Sequence, residues 1–425
     1  MINLLVILFT LAGIRSILLT KNGLENSLKF IIFAFVLGYR TFELIPGLKL
    51  HPIELFIYSC IIRIIISNAV KYREMSLAIS LLGIFFIAYF FIDFLTGYHF
   101  MVLLEFKNAF LLILIFFITQ HIHFSKSYFV RLLKYYLMVA SLISILGVIE
   151  YLFPSFMSSI FGFQSRSMNT PESIFFTRLA FLFWGTHLAA NLIAPVFPII
   201  LLLKVEKDSI VKNNYILTFL LMINLIAIYL SGNRISWLIL TILLLIIIFQ
   251  YRNFLVPYMK SYALLVTMIF VAYVYSQPVE GRYISTFKAL TGKIDTRYDS
   301  SGGARMARVQ IAINSIVEKP LGTGWGSQGW VHSDVLQIAA SVGIIPGIIF
   351  LIAPLFLLFR MYRAYLIAPI NDQTAFFVCC GLLIFIIISL YLNGNIMKVQ
   401  SGAPLLVLWA IADGYLTCYK QVDSS

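Results

Sequence analysis

The sequence predicts an all-α, polytopic membrane protein, a bundle of about twelve to fourteen transmembrane helices. Hydrophobic residues make up 61% of the 425 residues and charged residues only 12%, which leaves too little polar surface to cover a soluble globule. Apolar runs long enough to cross about 30 Å of hydrocarbon as helix recur along the chain. They are continuously apolar rather than alternating, so they do not fit the strands of a transmembrane barrel.

The apolar runs give the predicted spans and, from them, the predicted segments. The spans lie near 2–20, 29–46, 53–69, 76–95, 100–119, 129–152, 179–203, 215–232, 235–250, 261–276, 335–359, 375–392 and 403–419. We expect the first run to remain as a span, because no basic stretch precedes it as in a signal peptide. The segments are N-terminal helices at 1–152, central helices with a first loop at 153–276, a large basic loop at 277–333 and C-terminal helices at 334–425.

The lysines and arginines of the short loops predict the orientation, because such residues accumulate on the cytoplasmic side. Under this span list one face carries Lys71, Arg73, Lys126, Arg131, Lys134, Lys204, Lys207, Lys212, Arg252, Lys260, Arg360 and Arg363. The loops near 153–178 and 277–333 then lie outside the cytoplasm. The second has seven Lys and Arg against four acidic residues, which suggests an anionic ligand. Attraction to anionic lipid headgroups is the alternative.

Three polar positions at span ends are the first candidates for chemistry. Arg178 precedes the span 179–203, Arg234 follows the span 215–232 and His332 precedes the span 335–359. Two spans separate each from the next, so all three share a face. Charges this close to hydrocarbon are costly unless paired or hydrated, and the arginine fork suits phosphate oxygens. The positions predict a pocket for a phosphorylated lipid; interfacial snorkelling of each arginine is the alternative.

A basic amphipathic segment lies within the large loop. Arg305 and Arg308 are three residues apart, and apolar residues recur at helical spacing between Met306 and Val317. The pattern predicts a helix on the membrane surface whose arginines either meet headgroups or cover the pocket and bind diphosphate.

The glycine-rich turn that follows predicts a tight loop. Residues 324–329 fit G-x-G-x-x-G but follow no strand, so a dinucleotide site is rejected, and no Walker A sequence supports use of ATP. The glycines would let the backbone approach a ligand closely. Three aromatic residues of the large loop, Trp325, Trp330 and Tyr298, are candidates for stacking on sugars.

No metal or other cofactor is predicted. Cysteines 60, 379, 380 and 418 lie in or at the end of apolar runs without ligand spacing. His121 and His123 have no Asp, Glu or Cys beside them, which favours a solvated interfacial pair over a metal site.

Together these motifs resemble the O-antigen polymerase and ligase superfamily, the Wzy-type polysaccharide polymerases and WaaL-type ligases. The resemblance covers roughly 175–360. It rests on Thr177-Arg178 opening a span that reaches Ala190-Asn191, on Ser231-Gly232-Asn233-Arg234, on Arg305 and Arg308 before Lys319-Pro320-Leu321-Gly322-Thr323-Gly324, and on His332-Ser333-Asp334 leading to Gly343 and Pro346-Gly347. Ser333 departs from the asparagine that often follows the histidine in the family.

The resemblance implies a metal-independent GT-C-type glycosyltransferase of the bacterial inner membrane. Its donor would be an oligosaccharide on undecaprenyl diphosphate at the periplasmic face. His332 would be the general base, and Arg178, Arg234, Arg305 and Arg308 would bind the diphosphate. A flippase and a chain-length regulator of the same pathway are the implied partners.

Three activities stay open at this point. We favour a polymerase, because a compact cationic loop suits feeding of a chain through one groove; a ligase would transfer the glycan to lipid A core instead. A lipid-linked oligosaccharide flippase is kept open by Asp93, Glu105, Lys107 and Glu150, since charges within spans can mark a translocation path. The competing interpretation is that these residues pair with one another, Glu105 with Lys107.

Overall fold

The computed structural model describes residues 2–37, 41–45, 48–67, 77–96, 99–153, 156–157, 191–231, 236, 240–241, 300–325, 327, 331, 333–392 and 399–423. Within them, seven helices are long and apolar enough to cross a membrane. The predicted fold class, an all-α polytopic membrane protein, is confirmed. The count of twelve to fourteen spans stays a prediction, because 235–250 and 261–276 lie almost wholly outside the described residues.

The chain divides into two compact units, Met1–Tyr136 with Ala307–Ser425, and Leu137–Met306. The helices that belong to the first unit or enter it are α1 Ile2–Leu19, α2 Gly23–Ala34, α3 Pro52–Ile66, α4 Leu77–Thr96, α5 His99–Gln120, α6 Lys126–Leu152, α10 Ser300–Glu318, α11 Asp334–Val342, α12 Ile344–Ile367, α13 Ile370–Leu392 and α14 Val399–Asp423. Wholly within the second are α7 Val196–Val205, α8 Ser209–Lys212 and α9 Asn214–Ser231.

The predicted span 29–46 is wrong. Helix α2 has 12 residues, which at 1.5 Å each is too short for about 30 Å of hydrocarbon. A short 3-10 turn, Phe35–Leu37, follows it, and then strands β1 Phe42–Ile45 and β2 Leu48–Leu50 pair antiparallel. The sequence between the strands is Pro46-Gly47, a turn signal within an apolar run.

A buried ion pair joins α3 to α5. The Lys107 Nζ lies 2.6 Å from the Glu54 Oε1, with the side chains 13% and 2% exposed. The His51 amide donates to the other Glu54 oxygen at 2.6 Å, which completes a capping box at the start of α3. The competing interpretation paired Lys107 with Glu105; Lys107 pairs with Glu54 of α3 instead, because residues two apart on a helix do not face each other.

The predicted span 335–359 is interrupted by Gly343. Its φ of 115° and ψ of 163° separate α11 from α12. This conformation is essentially restricted to glycine. Helix α11 is therefore a short buried element that leads into the long apolar helix α12.

Aromatic and polar contacts hold α5 against α14. The rings of Phe116 and Trp409 meet edge-on with centroids 5.3 Å apart. One turn further along α5, the Gln120 amide donates to the Asp413 carboxyl at 3.3 Å. Both rings are about 1% exposed, so this contact is part of the core of the first unit.

In the second unit a polar contact joins α6 to α9. Asn224 of α9 donates to the Ser141 hydroxyl at 3.0 Å and accepts from the Ser144 hydroxyl at 2.7 Å. All three residues are buried. Such hydrogen bonds join helices where apolar packing alone gives little preference for one partner over lipid.

Candidate functional site

The candidate site is organised by residues 319–333, which we call the site loop. Helix α10 ends at Glu318, directly before Lys319 and Pro320, and a proline cannot continue a helix. The amide of Gly322 donates to the carbonyl of Lys319 at 2.9 Å, so the chain reverses in a tight turn. This turn directs the site loop onto α11.

The site loop docks on the end of α11 through its backbone. The amides of Thr323 and Gly324 donate to the carbonyls of Ala340 and Ser341, each at 2.9 Å. The Thr323 hydroxyl donates to the Ala340 carbonyl as well, at 2.9 Å. The last carbonyls of a helix lack partners within the helix; here the site loop supplies them, so loop and helix stabilise each other.

Two glycines permit this close approach. Gly322 and Gly324 each have a φ of 95°. A Cβ on Gly322 would lie 2.6 Å from the Ser341 carbonyl oxygen, and one on Gly324 would lie 2.7 Å from the Asp93 Oδ1. Glycine is therefore required at both positions by conformation and by space. The predicted loop at 324–329 lies partly outside the described residues; at Gly322 and Gly324 the backbone meets α11 and α4.

Trp325 is buried against α4 and α5. The side chain is 1% exposed. Its ring meets Phe86 edge-on with centroids 5.3 Å apart, and Phe106 at 6.3 Å. The backbone amide of Trp325 donates to the Asp93 Oδ2 at 2.6 Å. An enclosed ring is not a platform for a sugar, so in this structure Trp325 packs the site loop onto the bundle instead of lining a glycan groove.

The residues of α4 that contact the site loop lie on one face of that helix. The hydroxyl of Tyr89 donates to the Leu321 carbonyl, while Phe86 and Asp93 contact Trp325. Positions 86, 89 and 93 are three and four residues apart, which is the spacing of one helix face. The site loop is thus fixed to α4 at both ends of its glycine turn.

The residues on either side of position 332 are held in place. The Val331 amide donates to the Gln337 side-chain oxygen at 2.8 Å. Ser333 is the N-cap of α11, and its hydroxyl accepts from the Leu336 amide at 3.4 Å. Val331 and Ser333 are only 3% and 4% exposed. His332 itself lies outside the described residues.

A small apolar cluster ties α10, the site loop and α11 together. It consists of Ala312, Val331 and Ala340, with Ile316 and Leu336 packed against it. Ala312 and Ala340 are fully buried. The cluster fixes the second half of α10 beside the segment that leads to position 332.

Of the predicted anion-binding residues, only Arg308 has a described side chain. It is exposed on α10. Arg305 lies on the same helix three residues earlier, as the amphipathic pattern predicts. Outside the described residues lie Arg178, Arg234, Tyr298, Trp330 and His332. Within the described part of the chain, no group of three His, Cys, Asp or Glu could hold a metal ion.

The sequence did not identify the residues that anchor the site loop. The sequence pattern marked Asp93 only as a charge within a span, and it marked neither Tyr89 nor Gln337. Asp93 is the single charged residue in the 20-residue helix α4, and an isolated acid in such a helix is a signal for a specific partner. The partner, Trp325, is 232 residues away along the chain, so no local pattern could name it.

A comparison with protein-family models gives a match to a stretch that includes the site loop. Residues 217–352 match the family model Wzy_C, described as O-antigen ligase. The match spans most of α9, the site loop, α11 and the first turns of α12. A search of curated proteins found no match. The match supports the resemblance of residues 217–352 to the O-antigen polymerase and ligase superfamily.

Proposed function

We propose that this protein is a glycosyltransferase that joins lipid-linked oligosaccharide repeat units into O-antigen or a related surface polysaccharide. The observation that carries the proposal is the match of residues 217–352 to the O-antigen ligase family, because that segment contains the site loop and position 332. The family implies a lipid-linked glycan substrate and a membrane setting. The apolar helices around the site loop suit both.

The proposed step transfers the glycan from undecaprenyl diphosphate to an acceptor hydroxyl. The hydroxyl oxygen bonds to the anomeric carbon, and the bond from that carbon to the diphosphate oxygen breaks. The hydroxyl proton passes to a base, and the diphosphate leaves with the electron pair. The chemistry therefore needs one base and a set of cations.

His332 is the proposed base. An imidazole titrates near pH ~6.5 and can accept a proton at neutral pH. The hydrogen bonds and burial of Val331 and Ser333 support this role, since they restrict the backbone on either side of position 332. Restricted geometry is what a positioned base requires.

Four arginines are proposed to bind the diphosphate: Arg178, Arg234, Arg305 and Arg308. Guanidinium groups bind phosphate oxygens in pairs and neutralise the charge that develops on the leaving group. The exposure of Arg308 and the attachment of α10 to the site loop support its part in this set. Trp330 and Tyr298 remain proposed contacts to the glycan.

The second candidate is an O-antigen ligase, which the description of the matched family favours. The donor and the chemistry are the same; the acceptor would be lipid A core. In either case we place the site at the periplasmic face of the inner membrane, with a flippase and a chain-length regulator as partners. The family match supports a transferase over a flippase.

Gel analysis of glycans in a strain that lacks this gene tests the proposal. If the strain keeps single repeat units on the lipid carrier and the gene restores a ladder, the protein is a polymerase. If long polymer accumulates on undecaprenyl diphosphate and the gene moves it to lipid A core, the protein is a ligase. An unchanged glycan profile in the deletion strain contradicts both.

Variants assign the residues in the same strain. We expect His332→Ala and Arg234→Ala to leave the ladder absent. His123→Ala and Arg363→Ala are the matched controls, because each removes the same kind of side chain from elsewhere in the chain. A full ladder with His332→Ala would remove the base assignment, whatever the acceptor is.

A further inference from the structure

We propose that Asp93 is a positioning residue for the transfer reaction: its carboxyl group in α4 anchors the site loop through the Trp325 amide and so sets the backbone that leads to His332. This inference rests on the proposed function, because it concerns the loop that carries the proposed base. Its first basis is the 2.6 Å hydrogen bond from the Trp325 amide to the Asp93 Oδ2.

The location of Asp93 indicates that its hydrogen bond with the Trp325 amide is a specific contact. It lies near the end of a 20-residue apolar helix and is only 9% exposed. An acidic group in such a place is costly unless specific hydrogen bonds compensate for the lost water. The docked site loop provides one such hydrogen bond, from the Trp325 amide, so docking of the loop stabilises the carboxyl group.

The space around the carboxyl group is matched to the loop. A Cβ on Gly324 would lie 2.7 Å from Oδ1, 3.1 Å from Cγ and 3.2 Å from Oδ2 of Asp93. Any residue other than glycine at 324 would push the carboxyl group away from the Trp325 amide. Asp93 and Gly324 therefore act as a complementary pair: one supplies the acceptor, and the other supplies the room.

Tyr89 adds a second attachment one helical turn earlier, through its hydroxyl and the Leu321 carbonyl. Between the two attachments lies the glycine turn that docks on α11. Beyond Trp325, the Ser327 hydroxyl donates to the Gly324 carbonyl at 2.6 Å, and the Val331 amide donates to the Gln337 side-chain oxygen at 2.8 Å. A shift of Trp325 would then displace position 332 further along the same loop, and small displacements of a catalytic group reduce rates strongly.

The test measures docking of the site loop and catalysis separately. Wild type, Asp93→Ala, Asp93→Asn and Tyr89→Phe are purified in lipid nanodiscs. Hydrogen exchange of peptides that cover 321–331 reports docking without any substrate. Transfer of a lipid-linked repeat unit is then measured as kcat and KM across pH. Asp372→Asn is the control, because it alters a partly exposed carboxylate paired with Lys126.

We expect Asp93→Ala to speed exchange in 321–331 about tenfold and to lower kcat by about tenfold to a hundredfold, with KM changed less than about threefold. Asp93→Asn keeps an acceptor oxygen and should restore most of both. Tyr89→Phe should show the same pattern more weakly. The pH profile should keep its shape in all variants, because a positioning residue does not itself exchange the proton.

Unchanged exchange or unchanged kcat in Asp93→Ala would overturn the inference. So would an Asp93→Asn variant as inactive as Asp93→Ala with a displaced pH profile, since Asp93 would then carry a proton in the reaction. If the wild-type protein transfers no glycan, the proposed function is refuted, and the exchange data alone then decide whether Asp93 anchors the loop. Faster exchange in Asp93→Ala would still establish the anchor in that case, and unchanged exchange would refute it.

Discussion

Replacing Gly343 with alanine should weaken the contact between the site loop and the junction of α11 with α12. Gly343 separates α11 from α12 with a φ of 115° and a ψ of 163°. The adjacent Ile344 amide donates to the Pro320 carbonyl at 2.9 Å, which links the helix break to the start of the site loop. A change at this glycine therefore acts on both the helix junction and the loop.

The magnitude follows from conformation and space. Holding a residue other than glycine in this backbone region costs about 1–3 kcal/mol. The added Cβ would also lie 3.0 Å from the Leu321 oxygen, 3.1 Å from the Leu321 carbonyl carbon and 3.3 Å from the Pro320 oxygen. These are backbone atoms of the docked loop and cannot turn away as a side chain can. We expect a loss at the upper end, about 3 kcal/mol in the free energy of unfolding.

Denaturant unfolding of the purified protein in a fixed detergent measures this loss, with Gly83→Ala as the matched control. A Cβ at Gly83 of α4 would lie 3.3 Å from the Ile113 Cγ2, a side-chain atom that can shift. Alanine in a helix is favoured over glycine by about 1 kcal/mol, which offsets the cost of shifting the Ile113 side chain. The stability of this variant should therefore stay near that of wild type. Equal stability of the two variants would refute the argument from the Gly343 backbone.

Two further changes test contacts in the first unit. Lys107→Met leaves the buried Glu54 without its ion pair, and we expect a loss of about 3–5 kcal/mol in unfolding free energy. The double variant Lys107→Met with Glu54→Gln should recover part of this loss. No recovery in the double variant would show that the unpaired charge is not the cause. Trp325→Ala should lose about 3–5 kcal/mol, because it removes a ring buried against Phe86. Trp325→Phe should cost much less, since the indole Nε1 has no hydrogen-bond partner among the described residues; equal losses would argue against packing as its role.

The sequence predicted the long helices because their signal is local. Helices α4, α5, α6, α9, α13 and α14 coincide with continuous apolar runs, and length with hydropathy is enough to recognise a span. The same rule failed at 29–46 and 335–359, where a hairpin and Gly343 interrupt apolar sequence. Hydropathy does not register a backbone that changes direction inside an apolar environment.

The site was predictable only in part. The pattern at 324–329 predicted a tight loop, and Gly324, its first residue, has a backbone angle that favours glycine. The neighbours of this loop were not predictable from the sequence, since the nearest atoms at Gly324 belong to Asp93, far away along the chain. The same contact explains the wrong expectation for Trp325: glycine beside an aromatic ring suggested an open platform, whereas the close approach to α4 encloses the ring.

The central claim is that His332 removes the proton from the acceptor hydroxyl. Its most direct test is the rate of glycan transfer by purified His332→Ala and wild type, with one defined lipid-linked donor and saturating acceptor. We expect a loss of at least about a hundredfold in kcat for His332→Ala, with an unfolding midpoint close to wild type. A folded His332→Ala protein that transfers glycan at the wild-type rate would contradict the account.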